Sequence, residues 1–224
     1  MASAGPPRLR DAGVDDRPRL VEILADAFDA DPFFRWMFGP SEAAFRAGLR
    51  AWLALVTGFA LPRGRAWLAE GDEGDEGAVV WLPPAAELVG PDELAAAGRL
   101  LGELVGYRAV EVLGAIAAGG SVVPDRPHWL CLYIGVRPGA QGRGLGRALL
   151  QPGLVAADAS SVPAHLVATN PATAPFYEAF GFRALADLSS APGVPALRPM
   201  WREPVPRAGR TGRLGTRPPH EGTA

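Results

Sequence analysis

Apolar residues recur at helical spacing near the start of the chain. Leu20, Ile23, Leu24, Ala27 and Phe28 occupy positions i, i+3, i+4, i+7 and i+8. This pattern is typical of an amphipathic helix that buries one face. We therefore predict a first helix over this segment.

Helix-breaking pairs then divide the chain. Asp31-Pro32 is expected to end the first helix. Gly39-Pro40 separates a short aromatic segment from a second apolar stretch of helical spacing, residues 41–61. The first quarter of the chain is therefore predicted to form a helix, a turn and a second helix.

Strand signals dominate the next part. Residues 65–69 and 77–82 contain β-favouring Trp and Val side chains. The acidic, glycine-rich segment 71–76 between them predicts a hairpin with a long exposed turn. Residues 91–119 are rich in Leu and Ala with charged residues between apolar positions, which favours one or two helices.

The second half alternates strands and helices. Strand patterns over residues 128–136 and 165–169 flank a helical pattern over residues 141–159, and this order implies parallel neighbouring strands joined by a right-handed crossover. A short helix over residues 175–179 and a last strand over residues 199–202 complete the pattern. The expected fold class is α/β, or α+β with a mixed sheet.

Composition narrows the chemistry. The 224 residues carry a net charge of −2, and all 22 basic residues are Arg. Chemistry that needs a lysine amine, such as a Schiff base or a phosphate-loop lysine, is therefore excluded. The single cysteine, Cys131, and the scattered His128, His165 and His220 do not match a metal-binding spacing. We expect no metal and a reducing compartment.

Length and termini predict one domain. We expect residues 8–203 to form it, with residues 1–7 and the Pro-, Gly- and Arg-rich tail 204–224 disordered. No N-terminal apolar run resembles a signal peptide, and the longest apolar stretch, residues 51–61, is too short to span a membrane. We therefore expect a cytoplasmic protein without membrane contact. The near-neutral charge disfavours nucleic acid as a partner.

The most informative segment, residues 134–147, joins a strand to a helix through a glycine-rich bend. Backbone N–H groups at a helix start have no intrahelical partner and favour an anion such as a pyrophosphate. Closely spaced glycines let a phosphate approach, and Arg143 and Arg147 add positive charge. A flexible turn at a helix start is the alternative. The N–H groups concerned belong to Gly142, Arg143, Gly144, Leu145 and Gly146.

The same segment resembles the cofactor loop of the GCN5-related N-acetyltransferases (GNAT), whose pattern is V-x-P-x-x-Q/R-x-x-G-x-G/A. The resemblance implies acetyl-CoA as the acyl donor. It also implies a central twisted mixed sheet, flanked by helices, in which two splayed parallel strands admit the pantetheine arm. Every specified position matches, at Val136, Pro138, Gln141, Gly144 and Gly146. By the same resemblance, the backbone that binds the arm belongs to Ile134, Gly135 and Val136.

A second motif, over residues 170–182, resembles the family's N-x-x-A/N-x-x-Φ-Y-E-x-x-G-F segment. The resemblance assigns Tyr177 as the general acid that protonates the coenzyme A thiolate, with Asn170 and Thr173 beside the cofactor. The aromatic residues around Tyr177 also fit a simple aromatic core. The glycine loop upstream favours the functional interpretation.

More particular similarities point to the puromycin N-acetyltransferase branch, and this resemblance covers residues 8–203. That branch commonly carries a carboxylate on the strand before the tyrosine motif, where this sequence has Val167. Puromycin is therefore disfavoured as the substrate, and the usual general base does not transfer. The similar segments are residues 27–32, 127–129, 145–153 and 175–177.

Acetyl transfer to an amine requires a neutral nucleophile, so some group must remove a proton from the ammonium form. By residue type His128 is the candidate base, with a structural role beside Trp129 as the alternative. Asp31 borders the aromatic cluster and is suited to attract a cationic amine. The candidate acceptor-binding residues, whose alternative role is core packing, are Asp31, Phe33, Phe34 and Trp36.

Two functions of different class stay open. The first is an acetyl-CoA-dependent N-acetyltransferase that acts on a small-molecule amine, as a monomer or a homodimer. The second is a non-catalytic acyl-CoA-binding sensor or assembly module of the same fold, because Val167 stands where an acid is expected. Tyr177 favours the enzyme.

Overall fold

The computed structural model describes residues 7–188 and 193–206. The segments predicted to be disordered, residues 1–7 and 204–224, lie almost entirely outside the described residues, so that prediction stays a prediction.

A mixed sheet forms the centre of the described structure. Its strand order is β1-β2-β3-β4-β5-β7-β6, and β4 and β5 are its parallel pair, whereas the other neighbours are antiparallel. The strands are β1 Arg8–Ala12, β2 Arg65–Gly71, β3 Gly74–Leu82, β4 Trp129–Val136, β5 Ala164–Ala168, β6 Arg183–Ala184 and β7 Arg198–Arg202.

Helices cover both faces of this sheet. Helices α1 to α5 share one hydrophobic core, which contains Leu24 and Phe45. Helix α6 packs on the opposite face, where Trp81 and Leu149 are fully buried. The helices are α1 Arg17–Ala27, α2 Pro32–Phe38, α3 Glu42–Ala60, α4 Pro91–Val105, α5 Ala109–Ser121, α6 Leu145–Ser160 and α7 Ala174–Glu178.

The predicted mixed α/β fold with a parallel strand pair is confirmed, but two local predictions are wrong. Residues 32–38 form a helix where a turn is predicted: the Asp31 side chain accepts hydrogen bonds from the N–H groups of Phe33 and Phe34, which caps α2 with Pro32 at its first position. The long exposed turn over residues 71–76 is absent, because β2 and β3 continue to Gly71 and Gly74.

A buried histidine on β5 makes stability depend on pH. His165 is 4 % exposed, and its Nδ1 lies 3.0 Å from the Met200 carbonyl oxygen. Because a carbonyl only accepts, Nδ1 carries the hydrogen. Burial is the main cause that lowers the pKa of His165 from 6.5 to about 4. The unfolded chain therefore binds the extra proton first as the pH falls.

We expect His165 to lower the free energy of unfolding as the pH falls from about 6.5 to about 4. The total loss over this range should be about 3 kcal/mol. Urea unfolding across this range should give a smaller loss for His165→Gln, which keeps an N–H donor but does not titrate. The same pH dependence in both proteins would contradict the assignment.

Candidate active site

A cleft opens where the two parallel strands separate. β4 and β5 pair only at Trp129 with Ala164 and at Leu130 with His165. β4 nevertheless stays paired with β3 as far as Val136, across a register shift that leaves an extra residue on β4. Such a bulge increases local twist and bends the strand. The backbone of β4 beyond Leu130 therefore faces a cleft of about 680 Å³ instead of a neighbouring strand.

Gly135 brings the first helix against this strand. A Cβ atom at Gly135 would lie 2.6 Å from Ala27 Cβ and 3.2 Å from Leu24 Cδ2. The residue that follows α1, Phe28, lines the cleft beside Gly135. The close approach at this glycine therefore places the end of α1 as one wall of the cleft.

The glycine-rich bend forms the second wall. Gln141 Nε2 donates to the Val136 carbonyl oxygen at 3.1 Å, which closes the bend. Gly142 and Gly144 have φ of 79° and 85°, a left-handed conformation that strongly favours glycine. Because of these two residues, α6 begins at Leu145 and not at residue 141 as the pattern predicts. Its free N–H groups start beside the cleft.

The two arginines of this bend have different environments. Arg147 lines the cleft and lies over the Phe180 ring, 4.8 Å from its centroid. Arg143 points elsewhere: it forms an ion pair with Asp72 at 2.6 Å and donates to the Gly139 carbonyl oxygen. Of the two, Arg147 is therefore the cation available to an anion in the cleft.

A tyrosine from α7 faces the cleft between the separated strands. Tyr177 is partly buried, and its ring contacts those of Phe176 and Phe182 at 5.1 and 6.2 Å. The pKa of Tyr177 is raised, mainly by burial. The nearby Cys131 thiol and Asp31 carboxylate raise this pKa further, and a hydrogen bond with Thr173 lowers it. The hydroxyl is therefore protonated at neutral pH and is able to donate a proton.

A buried carboxylate also lines the cleft. Asp31 is 7 % exposed; its Oδ1 accepts from the backbone N–H groups of Phe33 and Phe34, and its Oδ2 accepts from the Thr169 hydroxyl at 2.7 Å. Burial raises the pKa of this carboxyl. Among the described residues that line the cleft, Asp31 is the only acidic one.

Three aromatic residues line the same cleft. The ring of Phe28 lies 5.1 Å from that of Phe34 and 6.0 Å from that of Tyr133, and all three residues line the cleft. Phe28 and Tyr133 were not among the expected acceptor residues. The sequence pattern does point to both positions, because Phe28 ends the apolar stripe of α1 and Tyr133 lies on the strand expected to border the cleft.

Similarity to known proteins agrees with this geometry. The model of the acetyltransferase (GNAT) domain family matches residues 92–184, which include β4, the glycine bend and the tyrosine helix. Residues 92–184 are therefore similar to GNAT acetyltransferase domains. This match supports the predicted acyltransferase over the matched residues.

Relatives of the chain include a mycothiol acetyltransferase from Streptomyces avermitilis, 32 % identical over 136 residues. The match covers 59 % of this chain and 38 % of the relative, so the chain spans well under half of that protein. A solved Corynebacterium glutamicum structure, described as histone acetyltransferase HPA2 and related acetyltransferase, is 27 % identical with a TM-score of 0.65. The alignment covers 92 % of this chain and all of the other.

A third comparison supports the fold alone. The PaiA N-acetyltransferase from Thermoplasma acidophilum, solved in complex with coenzyme A, is 12 % identical with a TM-score of 0.54. The alignment covers 89 % of this chain and 99 % of that structure.

Several of the expected site residues line the cleft, and others lie outside it. His128 lies outside the cleft at the start of β4, where its ring packs on those of His165 and Trp201. Phe33 and Trp36 also lie outside and pack against each other at 5.5 Å. The expected residues that do line the cleft are Tyr177, Ile134, Gly135, Val136, Gln141, Gly142, Gly144, Leu145, Gly146, Arg147, Asn170, Thr173, Asp31 and Phe34.

The described part of the chain has neither a metal-binding cluster nor a helix that could span a membrane. No group of three or more His, Cys, Asp or Glu side chains there is arranged to hold a metal ion. Within the same residues, no helix combines the length and apolar character needed to cross a membrane.

Proposed function

We propose that the chain is an acetyl-CoA-dependent N-acetyltransferase that acts on a small-molecule amine. The observation that carries the proposal is the cleft between β4 and β5, which has an anion-binding glycine bend at one end and a protonated tyrosine within it. One carboxylate, that of Asp31, lines the same cleft. The three features together match the parts of an acetyl-transfer reaction.

The glycine end fits the donor. Gly142 and Gly144 place no side chain before the N–H groups at the start of α6, and Arg147 adds a positive charge, so a pyrophosphate has both hydrogen-bond donors and a counter-ion. The free edge of β4 at Ile134 and Val136 offers backbone groups to an extended arm. Acetyl-CoA would supply the acetyl group there as a thioester.

The tyrosine suits the departing sulfur. As the amine nitrogen attacks the thioester carbonyl and the C–S bond breaks, the sulfur becomes a thiolate that gains from a nearby proton donor. Tyr177 lines the cleft and keeps its proton at neutral pH, because burial raises its pKa. We therefore assign it as the general acid.

The acceptor end favours a cationic amine with an apolar group. Phe28, Phe34 and Tyr133 offer ring faces, and Asp31 is the acidic residue beside them. Ring faces and a carboxylate both attract ammonium groups. The resemblance to a mycothiol acetyltransferase supports a small-molecule acceptor.

The test is release of free thiol from acetyl-CoA across a panel of amines that includes 2-phenylethylamine and O-benzylhydroxylamine. Thiol release that requires an amine, with an acetylated product found by mass spectrometry, is the expected result. The alternative, a non-catalytic acyl-CoA-binding module, predicts calorimetric binding of acetyl-CoA without turnover on any amine, and that result would overturn the proposal.

The two arginines of the bend provide a matched test of the donor site. We expect Arg147→Ala to raise the Kd for acetyl-CoA about tenfold, because one charge-assisted phosphate contact is lost. Arg143→Ala should change the Kd by less than about twofold, because an exposed ion pair with Asp72 is worth little. Calorimetry on both folded variants measures the difference, and equal effects would contradict the placement of the pyrophosphate.

Finer predictions rest on the sequence. The puromycin N-acetyltransferase branch, the cytoplasmic location, the absence of a nucleic-acid partner and a monomeric or dimeric state all stay predictions. Val167, which stands where the branch commonly carries a strand carboxylate, lines the cleft.

A further inference from the structure

We infer that Thr169 and Asp31 form a proton relay that accepts a proton from the acceptor amine. The inference rests on the proposed N-acetyltransferase function and goes beyond it, since it assigns the group that makes the amine a nucleophile. Thr169 follows β5, and Asp31 caps α2, so the fold brings the pair together from distant parts of the chain.

The direction of the hydrogen bond orients the Thr169 hydroxyl. An ionised carboxylate only accepts, so the single hydroxyl hydrogen of Thr169 is donated to Asp31 Oδ2, at 2.7 Å. The remaining lone pairs of the hydroxyl oxygen are then available only as acceptors. Because Thr169 lines the cleft and is partly exposed, a nitrogen in the cleft is able to donate its N–H to that oxygen.

Asp31 is poorly placed to accept the proton directly. Its Oδ1 already receives two backbone N–H groups of α2, and Thr169 occupies its Oδ2. The residue is also buried. The amine therefore donates its proton to the Thr169 hydroxyl. The Asp31 carboxylate accepts the proton that the hydroxyl gives up.

Other side chains of the cleft do not compete for this role. Burial raises the pKa of the Cys131 thiol and of the Tyr133 hydroxyl, so both keep their protons. Tyr177 is likewise protonated, and Arg147 is a cation. Among the described residues that line the cleft, Asp31 is the anionic group that can take a proton, and burial favours its protonated form.

The proton balance is complete. One proton of the ammonium passes to the Thr169 oxygen while the Thr169 hydroxyl proton passes to Asp31, which leaves a neutral amine and a neutral carboxylic acid. The nitrogen lone pair forms the C–N bond, and the C–S bond breaks as Tyr177 gives its proton to the sulfur. The second N–H proton of the intermediate restores Tyr177, and Asp31 releases its proton to water after the amide leaves.

The test compares an amine that must lose a proton with one that need not. 2-Phenylethylamine is an ammonium at neutral pH, with a pKa of about 10 as for a lysine amine. O-Benzylhydroxylamine has a similar aromatic group and is neutral. We expect Thr169→Val to lower kcat/KM by about 10²-fold for the first amine and by less than about tenfold for the second. Thr169→Ser should restore most of the lost rate.

Asp31→Asn supplies a second arm, because asparagine also caps helices well and keeps the fold. It should show the same dependence on the amine, with unchanged affinity for acetyl-CoA. Equal losses for the two amines in both variants, or failure of Thr169→Ser to restore the rate, would overturn the relay while wild-type turnover leaves the proposed function standing. Wild-type protein that acetylates neither amine would overturn the relay together with the proposed acceptor class.

Discussion

A Tyr177→Phe variant is expected to lose roughly 10²- to 10⁴-fold in kcat for acetyl transfer, the usual contribution of one positioned acid or base. A thiol has a pKa of about 8.5, so its thiolate leaves unaided to some extent, and the tyrosine supplies part of the acceleration. The phenylalanine ring keeps the contacts with Phe176 and Phe182. The fold and the Kd for acetyl-CoA should therefore change little.

The matched control for this substitution is Tyr107→Phe. Tyr107 is 95 % exposed and lies outside the cleft, so loss of its hydroxyl should leave kcat unchanged. Rates are compared by single-turnover measurement, so that product release does not mask the chemical step. Turnover of Tyr177→Phe within about threefold of the parent would make this tyrosine a packing residue and would remove the general acid from the mechanism.

Sequence patterns were sufficient where the chemistry is local. The free N–H groups at the start of α6 depend on consecutive residues. The position of Tyr177 likewise depends on a short motif, residues 170–182. Both segments line the cleft. Even here the helix start was predicted too early, because the positive φ of Gly142 and Gly144 ends the bend at Leu145.

The acceptor end needed the folded structure. Asp31 was singled out for its charge, but its contact with Thr169 joins residues 138 positions apart, which no spacing rule predicts. The ring of Tyr133 meets Phe28 only because Gly135 lets α1 lie directly on β4. These contacts depend on tertiary packing.

The turn over residues 71–76 affects which arginine of the glycine bend faces the cleft. The segment around residues 71–76 was expected to be a loop, and its shorter turn carries Asp72 to the glycine bend, where it pairs with Arg143. The pair leaves Arg147 as the free cation of the bend. The turn between β2 and β3 thus holds Arg143 through Asp72, whereas Arg147 lines the cleft.

Helix α6, which begins at the glycine bend, packs directly on the indole of Trp81. Gly153, on α6, has no room for a side chain: a Cβ atom there would lie 2.6 Å from Cζ2 of the fully buried Trp81 and closer still to two other indole atoms. Neither the helix backbone nor an indole fixed in the sheet is able to yield easily. We expect Gly153→Ala to lower the free energy of unfolding by about 3 kcal/mol, at the upper end of overpacking.

Gly102→Ala is the same substitution in a helix where nothing lies within 4 Å of the added Cβ atom. Alanine has a higher helix propensity than glycine, so the free energy of unfolding of this variant should rise by roughly 0.5 to 1 kcal/mol. The effect is opposite in sign to that of Gly153→Ala. Urea unfolding of both variants measures the contrast. Because α6 begins at the glycine bend, any displacement from Trp81 also moves the N–H groups at Leu145, and the folded fraction of Gly153→Ala should bind acetyl-CoA more weakly. Stabilisation of both variants would mean that α6 does not rest on Trp81, and the bend would then lack its rigid support.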